Sequence, residues 1–354
     1  MIFVTGGAGF IGANFVLEWL AHQYESVLNL DKLTYAGNRE NLQSLEMDSR
    51  HVFVHGDIGD VQLVQSLLTR YKPRAIVNFA AESHVDRSIR GAEDFIQTNI
   101  VGLFRLLEVA RVYWRNLEGN AKIRFRFLQV STDEVYGSLE STAAAFRETD
   151  RYEPNSPYSA SKAAGDHLVR ACYRTYGLPV LTTNCANNYG PCQFPEKLIP
   201  LMITRALAGE TLPLYGSGLQ VRDWLYVKDH CKAISLVLEA GRPGEIYNVG
   251  CSGEKSNIEV VSALCDLLDE LCPRVVSAAG AGEPGPLTSY TGQITYVADR
   301  AGHDARYAID SSKIKAELGW RAVETFEGGL RKTVRWYLDN PAWIEGVQQR
   351  MRIS

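Results

Sequence analysis

Short apolar runs alternate with longer helical patterns along the first half of this 354-residue chain. Val, Ile, Phe and Leu dominate the runs with little polar alternation, which is typical of strands buried on both faces of a parallel sheet. The pattern predicts strands at about residues 1–5, 26–31, 51–55, 75–80 and 124–130. Between them it predicts helices near residues 10–22, 60–71 and 92–116. This order indicates an α/β fold with a Rossmann-type, doubly wound parallel sheet.

The pattern becomes less regular in the second half. A long helix is predicted from Tyr158 to about Gly177, where Gly-Leu-Pro is a stop signal, and a strand follows at 180–185. From about residue 187, short helices, brief strands and loops indicate a smaller mixed α/β lobe that covers a substrate. We therefore predict a nucleotide-binding domain at 1–186, to which some later segments return, and a substrate-binding lobe over most of 187–354.

One stretch differs from both patterns. Residues 278–286, which read Ala-Ala-Gly-Ala-Gly-Glu-Pro-Gly-Pro, are the most loop-like in the chain. They lie within a Gly/Ala/Pro-rich insertion at 274–293, and structured-looking sequence resumes at Ile294. We interpret this insertion as a mobile surface segment and not as a domain linker.

Composition and charge narrow the class of protein. Hydrophobic residues make up 45% of the chain and charged residues 22%, as in ordinary globular proteins with a large core. The net charge of −4 provides no basic face for nucleic acid or an anionic membrane, and no apolar run reaches membrane-spanning length. The first residues are typical of a strand and not of a signal peptide. We expect a soluble, cytoplasmic protein without nucleic-acid or membrane partners.

The seven cysteines form no Cys-x-x-Cys pair. No group of cysteines and histidines has the spacing of zinc ligands. We therefore expect reduced thiols and no metal site.

A glycine-rich turn joins the first predicted strand to the first helix. Gly6, Gly9 and Gly12 allow a tight turn and let a pyrophosphate approach the amides at the helix N-terminus. Asp31 ends the second strand, where a carboxylate can bind the adenosine ribose hydroxyls and disfavour a 2′-phosphate. Asp57 follows the third strand and is expected to meet the adenine. These positions predict NAD in preference to NADP, although Lys32 beside Asp31 argues the other way.

Two adjacent carboxylates, Asp133 and Glu134, follow the apolar run at 125–130. In a nucleotide-binding sheet the ligand lies at the carboxyl ends of the strands, so chemistry is expected at this strand end. Of two neighbouring carboxyls, one can donate a proton while the other accepts one. Removal of water from a sugar needs such an acid and such a base. A solvated acidic turn is the plain alternative for an Asp-Glu pair taken alone.

Tyr158 and Lys162 open the long helix after that strand. Their i, i+4 spacing places both side chains on one helical face, with the ammonium near the phenol. A nearby cation favours the phenolate, so we predict that Lys162 makes Tyr158 a usable base near neutral pH by lowering its pKa. A tyrosine and a lysine at this spacing also occur often by chance. The glycine turn and the carboxylates before them are what favour a catalytic pair.

These motifs, in this order, resemble the extended short-chain dehydrogenase/reductase family, and within it the 4,6-dehydratases that act on dTDP-glucose. The resemblance covers nearly the whole chain. Its matching blocks are residues 5–12, 31–38, 56–58, 80–88, 132–134, 187–191, 195–200, 222–224 and 299–303. It implies a tightly bound, catalytically recycled NAD and a nucleotide-diphosphate hexose, dTDP-glucose, as substrate. It also implies a homodimer formed through the helices near 92–116 and 158–176.

The resemblance further implies an NAD-dependent hydro-lyase reaction. Tyr158, helped by Lys162 and Thr132, would remove the proton of the sugar O4 as C4 gives a hydride to NAD. Glu134 would then take the C5 proton while Asp133 protonates the departing C6 hydroxyl, and the hydride would return to C6. The product would be a 4-keto-6-deoxy sugar, as in deoxysugar or rhamnose biosynthesis.

Further residues are implied to bind the two ligands. Those expected at the cofactor are Gly6, Gly9, Phe10, Ile11, Gly12, Asp31, Lys32, Leu33, Thr34, Asp57, Ile58, Ala80, Ala81, Glu82, Ser83, Thr98, Tyr158, Lys162 and Asn188. Those expected at the nucleotide-sugar are His84, Thr132, Asn187, Lys197, Leu198, Pro213, Tyr215, Arg222, Asn257, Asp299, Arg300 and His303. Arg222 and Lys197 suit a diphosphate, the first as a planar fork and the second as a point charge.

The chain departs from the family pattern at a few positions. Ala301 stands where the family usually has proline, and Cys192-Gln193 replaces an aromatic-polar pair. The alternatives within the fold are a 4,6-dehydratase, a decarboxylase or an epimerase that acts on another nucleotide-sugar, with thymine or uracil as the base. Asp133 and Glu134 argue against an epimerase, because epimerisation needs no acid and base at C5 and C6. A non-catalytic NAD sensor is a remote alternative, because such proteins usually lose the Tyr-Lys pair.

Overall fold

A computed structural model describes residues 1–277 and 284–353 of the chain. Strands in the described residues are β1 (Ile2–Thr5), β2 (Val27–Asp31), β3 (His51–His55), β4 (Ala75–Asn78), β5 (Arg126–Thr132), β6 (Val180–Cys185), β7 (Asn187–Tyr189), β8 (Leu212–Tyr215), β9 (Val221–Tyr226), β10 (Ile246–Val249), β11 (Glu254–Ser256), β12 (Val275–Ser277), β13 (Pro284–Leu287) and β14 (Ile294–Val297). Seven of them form one parallel sheet in the order β10-β6-β5-β4-β1-β2-β3. This confirms the predicted doubly wound sheet.

Helices cover both faces of this sheet and build most of the lobe. They are α1 (Phe10–His22), α2 (Val61–Tyr71), α3 (Val85–Arg90), α4 (Glu93–Ile96), α5 (Leu103–Arg115), α6 (Gly119–Arg124), α7 (Pro157–Tyr176), α8 (Leu198–Leu207), α9 (Val227–Ala240), α10 (Asn257–Leu271), α11 (Ser312–Leu318), α12 (Phe326–Asp339) and α13 (Pro341–Ile353). Short 3₁₀ turns lie at Arg39–Leu45, Asp133–Tyr136 and Tyr290–Gln293.

The strand order reverses at β1. Strands β2 and β3 lie on one side of it, whereas β4, β5 and β6 lie on the other, with β10 returning from the second half of the chain to the far edge. In open α/β sheets ligands bind outside the carboxyl ends of the strands at such a reversal. The turns after these central strands therefore share one crevice.

Most predicted elements agree with the structure to within a few residues, and two differences matter. Strand β5 runs on through Ser131 and Thr132, which pair with Asn184 and Cys185 of β6. The expected strand stopped at 130 because Ser and Thr break the apolar run. Helix α6 begins at Gly119 and was not predicted, since its mixed polar sequence has no buried residue and hence no apolar period.

The predicted helix at 92–116 contains a π-helical segment, Gln97–Gly102, between α4 and α5. Asn99 in this segment donates to Glu82 O at 2.9 Å and to Ser161 Oγ at 2.8 Å. A Cβ at Gly165 of α7 would lie 3.0 Å from Asn99 O, so the two helices pack backbone to backbone here. This contact sets the separation between α7 and the π-helical segment. The hydrophobic periodicity of a sequence does not reveal the extra residue of a π turn. Such turns often occur at functional sites.

The lobe has its own apolar core. Residues of α8, α10 and α12 pack around Tyr189, Trp224 and Tyr226, apart from the clusters on the two faces of the main sheet. Strand β7 follows β6 after one residue and joins β9 and β11 in a second sheet. The chain therefore passes from the nucleotide-binding sheet to the lobe across the crevice. The boundary at residue 186 stays a prediction.

The Gly/Ala/Pro-rich insertion is partly regular. Strands β12 and β13 pair antiparallel, so the loop expected at 278–286 is wrong for residues 284–286. Backbone pairing with β12 outweighs the weak strand preference of Pro and Gly there. The rest of that predicted loop, 278–283, lies outside the described residues. As to membranes, the helices in the described ranges include none whose length and apolar character would let it cross a bilayer.

Candidate active site

One cleft runs along the carboxyl ends of the central strands. Its walls come from the turns after β1 to β5, from α7 and from the segment 185–197 that leads into the lobe. The predicted site residues that line it are Gly6, Gly9, Phe10, Ile11, Gly12, Asp31, Lys32, Thr34, Asp57, Ile58, Ala80, Ala81, Glu82, Ser83, Thr98, Thr132, Asp133, Glu134, Tyr158, Lys162, Asn187, Asn188 and Lys197. The structure thus brings most of the expected cofactor and catalytic residues to one place.

The glycine turn forms one end of the cleft. Gly6 has φ +71°, and a Cβ there would lie 2.5 Å from Ala80 N. A Cβ at Gly12 would lie 2.3 Å from Gly6 O, so neither position accepts a larger residue. Gly9 is the N-cap of α1 and lines the cleft, and a Cβ there would meet Gly6 O at 3.4 Å. The turn therefore leaves room for an anion at the helix N-terminus.

Asp31 is fixed at the end of β2 by the backbone. Its Oδ2 accepts from Ala8 N at 2.8 Å and its Oδ1 accepts from Leu33 N at 2.7 Å. Each carboxylate oxygen can accept a further hydrogen bond, as two ribose hydroxyls would need. Beside it, Lys32 Nζ pairs with Asp57 Oδ2 at 2.8 Å. This pair neutralises the lysine that argued for a 2′-phosphate, so the site fits NAD.

The two carboxyls at the end of β5 lie in a 3₁₀ turn and have different surroundings. Asp133 is 2% exposed, its Oδ1 accepts from Thr132 Oγ1 at 3.4 Å, and its Oδ2 has no protein partner. Burial raises the pKa of Asp133 well above its usual value, and the charges of Glu134 and Asp223 raise it further. These influences favour the protonated form of Asp133, which a proton donor needs.

Three cations act on Glu134. Burial is the largest influence and raises the pKa of its carboxyl above the usual value, and Lys197, Arg222 and Arg300 reduce this rise. For Asp133 the neighbouring carboxylates reinforce burial, so the two pKa values are pushed apart with Asp133 the higher. The environment therefore favours Asp133 as the acid and Glu134 as the base, which is the predicted assignment.

Tyr158 and Lys162 lie on the cleft side of α7, where a capping box between Ser156 and Ser159 starts the helix. Lys162 Nζ donates to Val130 O at 2.8 Å. Burial raises the pKa of Tyr158 well above its usual value and Glu134 adds to this, while a hydrogen bond from Thr132 lowers it. In the protein without its cofactor, burial therefore opposes the phenolate that the Tyr-Lys spacing predicted. The role of Tyr158 as a base stays a prediction.

Other predicted substrate residues form ion pairs and hydrogen bonds at the lobe side of the cleft. Lys197 Nζ donates to Ser83 O at 2.8 Å, and His84 Nε2 lies 3.6 Å from Glu196 Oε2. Burial, aided by the charge of Lys197, lowers the pKa of His84 to about 4. The imidazole is therefore neutral at pH 7 and can take part in hydrogen bonds without a charge.

Arg222 is 5% exposed and is held by backbone carbonyls. Its guanidinium donates to Asp304 O at 2.8 Å and to Val221 O at 2.7 Å, and it stacks 4.3 Å from the Tyr307 ring centroid. No carboxylate forms an ion pair with it among the residues that the structure describes. Its charge is therefore available to Glu134 and to an anionic ligand.

The turn at 299–303 is tied to α3 and to itself. Arg300 Nη1 pairs with Asp86 Oδ1 at 3.1 Å, and Tyr215 Oη donates to Asp86 Oδ2 at 3.3 Å. His303 Nδ1 lies 2.6 Å from Asp299 Oδ1. Asp299 Oδ1 also accepts from Arg300 N at 2.9 Å, so side-chain bonds and Gly302 at φ +63° shape the turn that proline usually stiffens.

Several predicted residues lie outside the cleft walls. They are Leu33, His84, Leu198, Pro213, Tyr215, Arg222, Asn257, Asp299, Arg300 and His303. Leu33 has φ +53° and orients its amide toward Asp31, while Pro213 lies in β8 and Asn257 begins α10. These residues surround the cleft on the lobe side, and direct ligand contact by them stays a prediction.

The structure adds cleft residues that the sequence reasoning missed. They include Phe79, Ser131, Ala186, Gln193, Phe194 and Glu196. Gln193 is buried, and its Nε2 donates to Asn188 O at 2.9 Å while its Oε1 has no protein partner. Cys192 before it has φ +65°, so the departure from the family pattern lies in a left-handed turn that directs Gln193 inward. The adjacent, unusual Cys-Gln pair was the available signal. Cys185 of β6 also lines the cleft.

Unpaired acceptors on the cleft walls suit a polar ligand. Asp133 Oδ2, Asn187 Oδ1 and Gln193 Oε1 are buried without a protein partner. Buried polar atoms are nearly always hydrogen-bonded, so their position around one cleft is typical of a binding site. In the described parts of the chain no cluster of three or more His, Cys, Asp or Glu side chains could hold a metal ion.

Comparison with known proteins gives concordant matches over nearly the full chain. A family model described as GDP-mannose 4,6 dehydratase matches residues 3–333. The chain is 61% identical over 344 residues to a dTDP-glucose 4,6-dehydratase of Xanthomonas campestris pv. campestris (strain B100), covering 97% of this chain and 95% of that protein. It is 54% identical over 355 residues to that of Salmonella typhimurium (strain LT2), covering 98% and 95%.

A solved structure gives the same result. The crystal structure of DesIV, a dTDP-glucose 4,6-dehydratase from Streptomyces venezuelae with NAD and TYD bound, superimposes with a TM-score of 0.86. It is 47% identical and covers 98% of this chain and 99% of that one. Fold and sequence relatives therefore agree.

Proposed function

Because the chain belongs to the dTDP-glucose 4,6-dehydratase family, we propose that it converts dTDP-glucose to dTDP-4-keto-6-deoxyglucose and water. The observation that carries the proposal is the Asp133-Glu134 pair, two carboxyls of unlike pKa on the cleft that Tyr158 also lines. An epimerase has no use for this pair. NAD is the cofactor, and it is recycled within each turnover.

The cleft can hold NAD along its sheet side. The glycine turn and the first turn of α1 would bind the pyrophosphate, Asp31 the adenosine ribose, and Asp57 with Ile58 the adenine edge. When bound, NAD supplies a hydride acceptor for C4, a hydride donor for C6 and, in its oxidised form, a positive charge that favours the Tyr158 phenolate. That charge is what the protein alone lacks, since burial keeps the phenol protonated.

Tyr158 removes the proton of the sugar O4 through its phenolate oxygen. The Thr132 hydroxyl favours the phenolate by hydrogen bonding, and the Lys162 ammonium lies one helical turn further along α7. The resulting 4-ketone acidifies the hydrogen on C5, so a carboxylate can then remove it.

Glu134 and Asp133 remove water across C5 and C6. The Glu134 carboxylate takes the C5 proton, and Asp133 gives its proton to the departing C6 hydroxyl, forming water. Glu134 later returns a proton to C5. Each turnover therefore leaves one more proton on Tyr158 and one fewer on Asp133. Thr132 Oγ1 neighbours both groups and lies 3.4 Å from Asp133 Oδ1, so it is placed to help restore the starting state.

The lobe side of the cleft supplies positive charge for the diphosphate. Arg222, Lys197 and Arg300 lower the pKa of Glu134 and so lie near the reacting sugar. A diphosphate carries two negative charges or more, and Arg and Lys are its usual protein partners. These contacts, with His84 and Asn187, would orient the hexose toward β5.

A substrate panel tests this proposal. Purified protein is incubated with dTDP-, UDP-, GDP- and CDP-hexoses, and loss of water is followed by mass spectrometry. We expect conversion of dTDP-glucose to be the fastest, with base-induced absorbance of the keto-sugar as a second readout. Faster conversion of another nucleotide would reassign the substrate. NAD binding without water loss from any hexose would contradict the enzyme and favour a sensor.

We also propose a homodimer formed by α5 and α7. Phe104 and Val112 on α5 and Tyr176 on α7 are nearly half exposed although apolar, at 49%, 48% and 48%. An apolar face of this kind is typical of an association surface. Light scattering checks the mass: a dimer is expected, and a monomer at micromolar concentration would contradict the proposal.

We place the enzyme in the cytoplasm. The seven cysteines are all unpaired in the structure, which suits a reducing compartment. Cell fractionation with an antibody against the native protein tests the placement, and recovery in a membrane or secreted fraction would contradict it.

A further inference from the structure

A buried carboxyl behind the catalytic helix takes no part in the reaction described above. Asp166 lies one turn after Lys162 on α7, is 3% exposed and does not line the cleft. Asp166 Oδ2 accepts from Ser131 Oγ at 2.6 Å, whereas its Oδ1 has no partner by hydrogen-bond geometry, with Tyr152 beside it. An ionisable group in such a place is costly unless a charge compensates it.

Lys162 is the cation whose charge acts on this carboxyl. An i, i+4 pair on a helix lies on one face, about 6 Å apart at the Cβ atoms. The pKa of Asp166 is raised to about 7. Burial causes the rise, and the charge of Lys162 limits it. Conversely, Asp166 is the first among the influences that raise the pKa of Lys162, which burial lowers. Each group thus favours the charged form of the other.

Three other titratable groups close to the pair are neutral at pH 7. They are Tyr152 from the segment before α7, Tyr136 from the turn after β5 and Cys185 from β6, and burial raises the pKa of each. Asn184 Nδ2 donates to Tyr152 Oη at 2.9 Å and to Tyr136 Oη at 3.1 Å, which holds both phenols in place. These neighbours supply hydrogen bonds but no charge.

We propose that Asp166 is a positioning residue that keeps Lys162 charged and directed at the cleft. The partner that Lys162 Nζ has in the structure is Val130 O, at 2.8 Å, a neutral acceptor that does little to hold a buried ammonium. The Asp166 carboxylate supplies the counter-charge from behind the cleft wall. Since Asp166 acts on the reaction through Lys162, this inference rests on the proposed function.

The test is Asp166→Asn, which keeps the shape of the side chain and an acceptor for Ser131 while removing the charge. The rate of the wild type and of the variant is measured against pH with dTDP-glucose, with kcat separated from KM. We expect the alkaline midpoint of kcat to move down by about one pH unit or more, because Lys162 loses its proton more readily. KM is expected to stay within about twofold. An unchanged pH profile would overturn the proposal.

Ser131→Ala is the matched control. It removes the hydrogen bond to Asp166 but leaves both charges, so the alkaline midpoint is expected to stay in place even if the melting temperature falls. Equal shifts in Ser131→Ala and Asp166→Asn would show that the hydrogen bond and not the charge matters, and would also overturn the proposal.

A second variant covers failure to fold. If Asp166→Asn does not fold, the cause under this proposal is a buried Lys162 ammonium without a counter-charge. The double variant Asp166→Asn with Lys162→Met removes that ammonium and should therefore fold, as measured by circular dichroism. A double variant that stays unfolded refutes the proposal. The two proposals can fail separately: an inactive wild type contradicts the proposed function, whereas an active wild type with an unshifted variant contradicts the role of Asp166.

Discussion

The cleft has two walls that are built in different ways. The inner wall comprises residues 131–134, 158 and 162, on β5, its following turn and α7, and Asp166 lies behind it. We call the lobe side of the cleft the outer wall: Glu196 and Lys197 line it, and residues 84–86, 215, 222 and 299–303 surround it. Asp133 and Lys162 of the inner wall and Asp166 behind it are buried, and Lys162 and Asp166 each favour the charged form of the other. The pairs of the outer wall, such as Arg300 with Asp86, are partly exposed to water.

This difference separates chemistry from binding. A buried wall can shift pKa values far from their usual range, because each charge there lacks water and responds strongly to its neighbours. The outer wall also shifts the pKa of His84, but its partly exposed ion pairs can exchange partners when a diphosphate arrives, since exposed ion pairs hold little free energy. We therefore expect substitutions on the inner wall to change kcat and substitutions on the outer wall to change KM.

The largest effect is expected for Tyr158→Phe. It removes the group that takes the O4 proton, so kcat should fall by about 10³-fold or more. Stopped-flow absorbance should show no NADH formation on mixing with dTDP-glucose, while NAD remains bound. A persistent NADH signal would refute the role of Tyr158.

Glu134→Gln should cost slightly less, on the order of 10²–10³-fold in product formation. Glutamine keeps the shape of the side chain but cannot take the C5 proton. Oxidation at C4 comes earlier, so enzyme-bound NADH should accumulate without keto-deoxy product. The NADH signal thus distinguishes this variant from Tyr158→Phe. Turnover at the wild-type rate would mean that another group is the C5 base.

On the outer wall, Arg300→Ala should raise KM for dTDP-glucose about tenfold and leave kcat within about threefold. The substitution removes one of three cations near Glu134 and the partner of Asp86. Arg300→Lys is the matched control, since it keeps the charge and should recover most of the affinity. A fall in kcat with constant KM would contradict this prediction, because it would show that Arg300 acts on the reaction and not on binding.

The smallest effect is a pH dependence of stability that differs in sign between the walls. Asp166 has a folded pKa of about 7, raised by burial from an unfolded value of about 4, so its contribution to stability is lost as pH rises between them. The pKa of Asp86 is lowered, with Arg300 the main cause against burial, so its contribution is lost as pH falls below about 4.

Melting temperatures measure this difference. Asp166→Asn should flatten the decline of Tm between about pH 4 and pH 7 by a few degrees, and Asp86→Asn should flatten the decline below about pH 4. If both substitutions altered the dependence of Tm on pH in the same pH range, the distinction between the walls would be wrong.

Local sequence patterns were sufficient for the sheet and for the inner wall. Apolar runs, the Gly6-to-Gly12 turn and the position of Asp133 and Glu134 at a strand end are local features, and a parallel sheet brings its carboxyl ends together whatever the loops contain. The family resemblance then supplied roles for these residues and the set of ligand contacts.

Tertiary packing decided the rest, because burial and charge depend on residues far apart in the chain. The spacing of Tyr158 and Lys162 predicted a lowered phenol pKa, yet burial among residues of β5 and β6 raises it. Asp166 carried no signal in the sequence, since a carboxylate one turn beyond a lysine is ordinary on an exposed helix. The role proposed for Asp166 depends on its burial in the folded protein, which removes water from the carboxylate and leaves Lys162 as its counter-charge.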